Sequence, residues 1–161
     1  MTQKDSNSLQ MEFESFAAAH KATIYSVCYM YAKDKAQADD LFQDTLINLW
    51  KGFDSFRGDC APRSWVYRVS LNTCLSAGRK KRVATVPLEL SADVCDASTQ
   101  VGKNTAMLHA RISRLDPFDR AIVLLWLESM PYDEIGAIVG ISPKAVGVRL
   151  VRIREKLKNM K

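Results

Sequence analysis

Cysteine is sparse in this chain and never paired in sequence. Cys28, Cys60, Cys74 and Cys95 are scattered, no Cys-x-x-Cys occurs, and no histidine stands at ligand spacing from them. That pattern argues against a zinc-ligand motif, so no metal is expected. It predicts a cytoplasmic, reducing location, with the cysteines as small buried or capping residues. Long apolar runs are missing too. No stretch suffices to cross a bilayer and the first eight residues are polar, so the chain is expected to be neither secreted nor embedded. There is no internal repeat and no low-complexity tract. No nucleophile, base and orienting residue stand together as a catalytic set, so neither an enzyme nor a cofactor is expected.

What remains is helical patterning and positive charge. At 161 residues the chain suits one ordinary domain or two small ones, and its net charge of +5 favours a polyanionic partner without proving one. The last thirty residues are the most informative. Ile135 and Val139 recur at helical spacing, Gly136 lets a second helix approach, and Gly140 suits the left-handed end of a helix. Ser142 is placed to cap the next helix, with Pro143 at its first position, where a missing N–H costs nothing. Val146, Leu150, Ile153 and Leu157 then form one buried stripe. The other faces carry Lys144, Arg149, Arg152, Arg154, Lys156 and Lys158 against Glu155 alone. A plain helical hairpin would mix its signs; a helix-turn-helix with its second helix in the major groove of duplex DNA fits better.

The rest of the chain predicts an all-α protein of two small helical domains joined by a flexible linker. Phe13 to Ala32 reads as a helix burying Phe13, Phe16, Ile24, Val27 and Tyr31. A second helix is capped by Asp34, with Gln37 completing a capping box, and buries Leu41, Thr45 and Leu49, with Leu46 and Phe53 keeping the period. After a turn-rich break a third runs from Pro62 to about Arg82 and buries Trp65, Val69 and Leu75. The first domain is thus expected over 9–82 and the linker over 83–104, where periodicity lapses. The second domain, 105–161, contains a central apolar helix that starts at Asp116-Pro117 and ends at Glu128.

Two polar faces in the first domain call for an explanation. Asp40, Gln43 and Asp44 lie together on the second helix, beside Asp39 and Asn48. Alone they are a solvated face; on a basic chain they make a poor nucleic-acid surface and a plausible protein dock, with Trp50 as its anchor or as core. The third helix carries Arg63, Arg68, Asn72, Arg79 and Lys80 among Trp65 and Tyr67, after a loop with Arg57. Basic residues at a helix end are often simple dipole pairing. Cation, aromatic ring and amide together are what a single strand of DNA requires.

These segments, Asp40 to Asp59, Trp65 to Asn72 and the helix-turn-helix, resemble bacterial RNA polymerase sigma factors in the right order. The short two-domain form is similar to the extracytoplasmic-function group. The resemblance implies core polymerase as partner, with the helix of Asp40, Leu41, Gln43, Asp44, Asn48 and Trp50 docking on the β-prime clamp helices and a further contact to the β flap. It implies that Arg57, Arg63, Trp65, Tyr67, Arg68, Asn72, Arg79 and Lys80 recognise and open the minus-ten element. Ser142, Lys144, Gly147, Val148, Arg149, Val151 and Arg152 would read minus-35. The linker would thread the polymerase's RNA path, and an anti-sigma factor wedging between the two domains is expected.

Departures from the family pattern sit at Gly147 and Val148, where a basic residue and a serine are usual, and at Pro62 and Arg63. Gly147 costs about 1 kcal/mol of helix stability relative to alanine, to be offset by close backbone approach, or else Val148 and Val151 touch thymine methyls while arginines hold phosphates. A promoter-binding repressor or response-regulator output domain would explain the last sixty residues but neither face of the first domain. A magnesium nuclease built on Asp39, Asp40 and Asp44 is disfavoured, because Asp39 and Asp40 point about 100 degrees apart on a helix.

Overall fold

A computed structural model describes residues 3–56, 58, 61–81 and 100–160, with the side chains of 3, 4, 79–81 and 100–106 left aside. The described residues form seven helices and no strand: α1 (Gln3–Tyr31), α2 (Lys35–Phe53), α3 (Pro62–Lys81), α4 (Gln100–Ser113), α5 (Pro117–Leu127), α6 (Tyr132–Val139) and α7 (Pro143–Asn159). Local chemistry sets the starts. Asp34 accepts from the Gln37 amide at 2.7 Å, while the Gln37 side chain accepts from the Lys33 amide at 2.8 Å. The capping box therefore closes one residue earlier than its usual form. Asp116 and Ser142 cap α5 and α7 through the amides of Asp119 and Ala145, each ahead of a proline in the first turn.

Two boundaries differ from the sequence expectation. α1 begins at Gln3, ten residues before Phe13, and the polar, exposed Asp5 to Ser8 give no apolar period to detect. α4 begins at Gln100 rather than Thr105, so five residues assigned to the linker are helical; the rest of 83–104 that lies before Gln100 falls outside the described residues. The buried stripe of α3 is also displaced. Val66, Tyr67, Leu71 and Cys74 are buried, whereas Trp65, Val69 and Leu75 are only half-buried. α3 packs against α1 and α2 on one side and α5 and α6 on another, so its apolar arc is broader than one stripe.

α1, α2 and α3 pack on one another as one unit around Ile24, Val27, Leu41, Leu49, Val66 and Leu71. α5, α6 and α7 form the second around Ile122, Leu125, Ile135, Val146, Leu150 and Ile153, with α5 central and α4 bridging to α1. The units meet at a polar joint. The Tyr31 hydroxyl donates to the Pro117 carbonyl at 2.8 Å. Arg120 lies over the Tyr31 ring, 5.0 Å from its centre. Its guanidinium donates to the carbonyls of Met30 (3.1 Å), Ser113 (2.7 Å) and Leu115 (3.1 Å). One arginine thereby satisfies carbonyls at the ends of α1 and α4, where helices leave acceptors unpaired.

Candidate polymerase and nucleic-acid interface

α2 turns Leu41, Thr45 and Leu49 into the core and leaves Asp39, Asp40, Gln43 and Asp44 exposed on the opposite side. Leu41 is thus withdrawn from the surface on which it was expected to dock. Ile47 and Trp50 remain exposed beside the acids, at 51% and 41%. Trp50 is both surface and packing: one edge meets Phe13, with ring centres 5.1 Å apart. The outer side of α2 is therefore acidic with two apolar groups at its margin, a composition suited to a protein partner.

The basic and aromatic residues of α3 do not share one face. Arg63 reaches across to the second unit and pairs with Glu128 at 2.5 Å, its guanidinium also lying 5.7 Å from the centre of the Tyr67 ring. Arg68 donates to the Ala137 carbonyl at 3.4 Å. Tyr67 is buried in the same seam; burial raises its pKa above the ordinary phenol value, with Arg63 opposing. Trp65 belongs to an aromatic cluster instead, stacked on Phe56 at 4.6 Å and tilted against Phe16 at 5.8 Å. Arg57 and the side chains of Arg79 and Lys80 lie outside the described residues.

Asn72 occupies a third location. It is exposed on a groove between α2 and α3, about 550 Å³ in volume, whose walls also include Asp44, Asn48, Lys51 and Thr73. Asn48 donates to the Thr73 hydroxyl at 3.0 Å. The structure thus unites Asn48 and Asp44, expected to face polymerase, with Asn72, expected to face DNA. Spacing along either helix alone cannot reveal a groove shared by two.

The helix-turn-helix is more regular. Gly140 takes φ 86° at the end of α6, and its amide and that of Ile141 both bond the Gly136 carbonyl. A Cβ on Gly136 would collide with the Ile141 carbonyl, so the small residue admits the turn's own backbone rather than a second helix. Val146, Leu150 and Ile153 are buried and Leu157 half-buried, leaving Lys144, Val148, Val151 and Arg152 exposed on the outer face. Gly147 lies at the flank of that face, where a Cβ would stand 3.4 Å from Tyr132 Cε2. Ser142 is spent in part on its cap. Arg149 stays exposed but is tied to α5, bonded to Asp119 at 2.9 Å and lying over Phe118.

Sequence reasoning missed Asp119, Arg120 and Glu128. Asp119 is buried and takes Arg149 and, at 3.4 Å, Lys156, tying α5 to α7. Its signal was an acid in the first turn of a helix that, apart from Arg120, is otherwise apolar. Nothing local distinguishes Arg120 or Glu128, whose partners lie up to 90 residues away.

The chain matches the family profile of sigma-70 region 2 over residues 16–83 and that of sigma-70 region 4 over 105–157. It is 26% identical to the ECF RNA polymerase sigma factor SigG of Mycobacterium tuberculosis, over 93% of this chain and 49% of SigG. The chain thus spans about half of that relative's length. It is 28% identical to the RNA polymerase sigma factor CnrH of Cupriavidus metallidurans, over 92% of this chain and 85% of CnrH. Among solved structures it is similar to the sigma factor RpoE in complex with the anti-sigma factor NepR from Bartonella quintana. The TM-score there is 0.76 at 19% identity, over 91% of this chain and 94% of that one. CnrH in complex with the cytosolic domain of CnrY follows with a TM-score of 0.67 at 24% identity, over 92% and 86%.

Proposed function

Because this chain belongs to the sigma-70 family of RNA polymerase factors, in its extracytoplasmic-function group, we propose that it directs core polymerase to specific promoters without chemistry of its own. The exposed acidic side of α2 seats the chain on the polymerase clamp. The outer face of α7 enters the major groove at minus-35, with Lys144 and Arg152 on phosphates and Val148 and Val151 against thymine methyls. The groove holding Asn72 and Asn48 receives a base extruded from the minus-ten element. Unstacking that base costs a few kcal/mol, returned by stacking and hydrogen bonds in the pocket. The single observation that carries this function is the pairing of two opposite surfaces in one chain: an acidic ridge on α2 and a basic recognition helix with two exposed valines.

Arg63, Tyr67 and Arg68 serve the minus-ten strand only when the seam opens, since the second unit engages them in the closed form. An inhibitory partner of the anti-sigma kind acts by holding that form rather than by wedging into an empty gap. Tyr29, Met30, Leu108, Ile112, Leu124 and Leu127 line an apolar groove of about 250 Å³ along the seam, which suits the apolar face of a partner helix. In vitro transcription with purified core polymerase, this chain and a promoter library tests the function. Start-site-specific transcripts are expected; no transcript from any template, together with no affinity for core polymerase, would overturn it.

A further inference from the structure

The second unit buries a carboxylate for which helix capping gives no reason. The cap of α5 is Asp116, which takes the Asp119 amide at 2.9 Å. The Asp119 carboxylate itself is 6% exposed, and both of its oxygens hold cations of α7. Arg149 Nη1 reaches Oδ1 at 2.9 Å and Lys156 Nζ reaches Oδ2 at 3.4 Å, from side chains that are 44% and 57% exposed. A buried ion pair stabilises a fold poorly beside apolar side chains of the same volume, and its best-attested use is to fix register.

The two cations are placed to do that. Arg149 and Lys156 are seven residues apart, so they stand on one edge of α7, two turns and about 10 Å apart along its axis. That edge borders the buried stripe of Val146, Leu150 and Ile153. On the opposite edge Arg154 lies over the ring of Trp126 on α5, 5.5 Å from its centre. Apolar burial is non-directional and sets the depth of a helix better than its rotation. Anchors two turns apart set both roll and tilt. The outer residues Lys144, Val148, Val151 and Arg152 turn with the helix, and their tips lie about 5–6 Å from its axis, so a roll of about 20° moves them by about 2 Å. Recognition contacts tolerate about 0.5 Å.

Resting on the promoter-directing reading, we propose that Asp119 is the positioning residue of the minus-35 readout, holding α7 at the roll from which Val148 and Val151 meet the bases. Arg149 and Lys156 are its anchors and not phosphate contacts. Moving Arg149 to a phosphate would leave the buried carboxylate to the longer and more exposed Lys156 contact alone. The role of Arg149 in reading the minus-35 element is therefore exercised through Asp119.

The test uses the complex of the full chain with core polymerase and two duplexes: a promoter drawn from the library, and the same promoter with its minus-35 element scrambled. Dissociation constants are measured by fluorescence anisotropy over a series of salt concentrations, and their ratio is the discrimination. Asp119→Asn is expected to shrink that ratio by about fivefold or more, the cost of misreading a base pair, with core-polymerase affinity and helical circular dichroism unchanged. Arg149→Gln should shrink it alike, and the double variant no further than either single one. None of the three should change the slope of log affinity against log salt, whereas loss of a phosphate contact would flatten it by about 1. A residue that only stabilised the fold would lower the melting temperature and leave the ratio intact well below it. Undiminished discrimination in Asp119→Asn, or a flattened slope in Arg149→Gln, would overturn the inference. Should Asp119→Asn fail to fold, Arg149→Gln decides alone, since it alters a side chain that is nearly half exposed. A parent chain that binds both duplexes equally, whatever the promoter, would instead refute the promoter-directing reading on which the inference rests.

Discussion

Gly147 shows how one residue's meaning depends on its neighbour. Glycine in the middle of α7 costs helix stability, and the structure places the Tyr132 ring against it rather than leaving it bare. A methyl group at 3.4 Å from that ring is in ordinary contact, so Gly147→Ala should raise stability by about 1 kcal/mol, read as a melting temperature about 2–4 °C higher. A lower melting temperature would mean that the ring cannot yield. His109 offers a second test. One ring nitrogen donates to the Tyr29 carbonyl, Nε2 is buried without a partner, and burial lowers its pKa below the ordinary 6.5, with Arg120 adding to the effect. A base with a depressed folded pKa binds its proton more readily when unfolded. Stability is therefore full above about pH 6.5 and falls as pH drops through that value toward the folded pKa. The melting temperature should be lower at pH 5.5 than at 7.5, and His109→Gln should flatten that segment of the profile. An unchanged slope in the variant would assign the loss to another group.

At the scale of the helix, amphipathic period and function divide each element's two sides. α2 places Leu41, Thr45 and Leu49 in the core and its acids in solvent, so its outer charges can be reversed without disturbing the fold. Asp40→Lys with Asp44→Lys should weaken binding to core polymerase at least tenfold while duplex binding by residues 105–161 is unaffected, as measured by titration with each partner. Equal loss of both would remove α2 from the docking role. The period of α2 and α7 was legible in the sequence because each has one narrow buried stripe. That of α3 was not: it is covered on two sides, and Val66, Tyr67, Leu71 and Cys74 are buried where Trp65 and Val69 were expected. A helix buried over a broad arc has a weak hydrophobic direction, so its sequence cannot say which flank faces which neighbour.

For the whole molecule the decisive feature is the seam. Tyr31, Arg120, Arg63 and Glu128 tie the two units together through polar contacts at the margin of a buried apolar cluster that runs through both. Exposed ion pairs contribute only about 0–1 kcal/mol, and Arg63–Glu128 is about half exposed on both sides, so this pair adds little to the closure by itself. Tyr31→Phe with Glu128→Lys should enlarge the radius of gyration in solution scattering and increase affinity for single-stranded minus-ten DNA, with little change in the helical content measured by circular dichroism. A radius identical to that of the parent chain would show that other contacts suffice.

The sequence by itself determined the helices, their caps, the left-handed glycine turn and the family, because these depend on neighbours within a few positions along the chain. It also supplied the candidate residues. Only the tertiary structure decided how they group: Arg63, Tyr67 and Arg68 at the seam, Trp65 in an aromatic cluster, and Asn72 beside Asn48 in a groove. Those groupings arise where separate helices cross, and the contacts that fix a crossing join residues dozens of positions apart, beyond the reach of any local pattern.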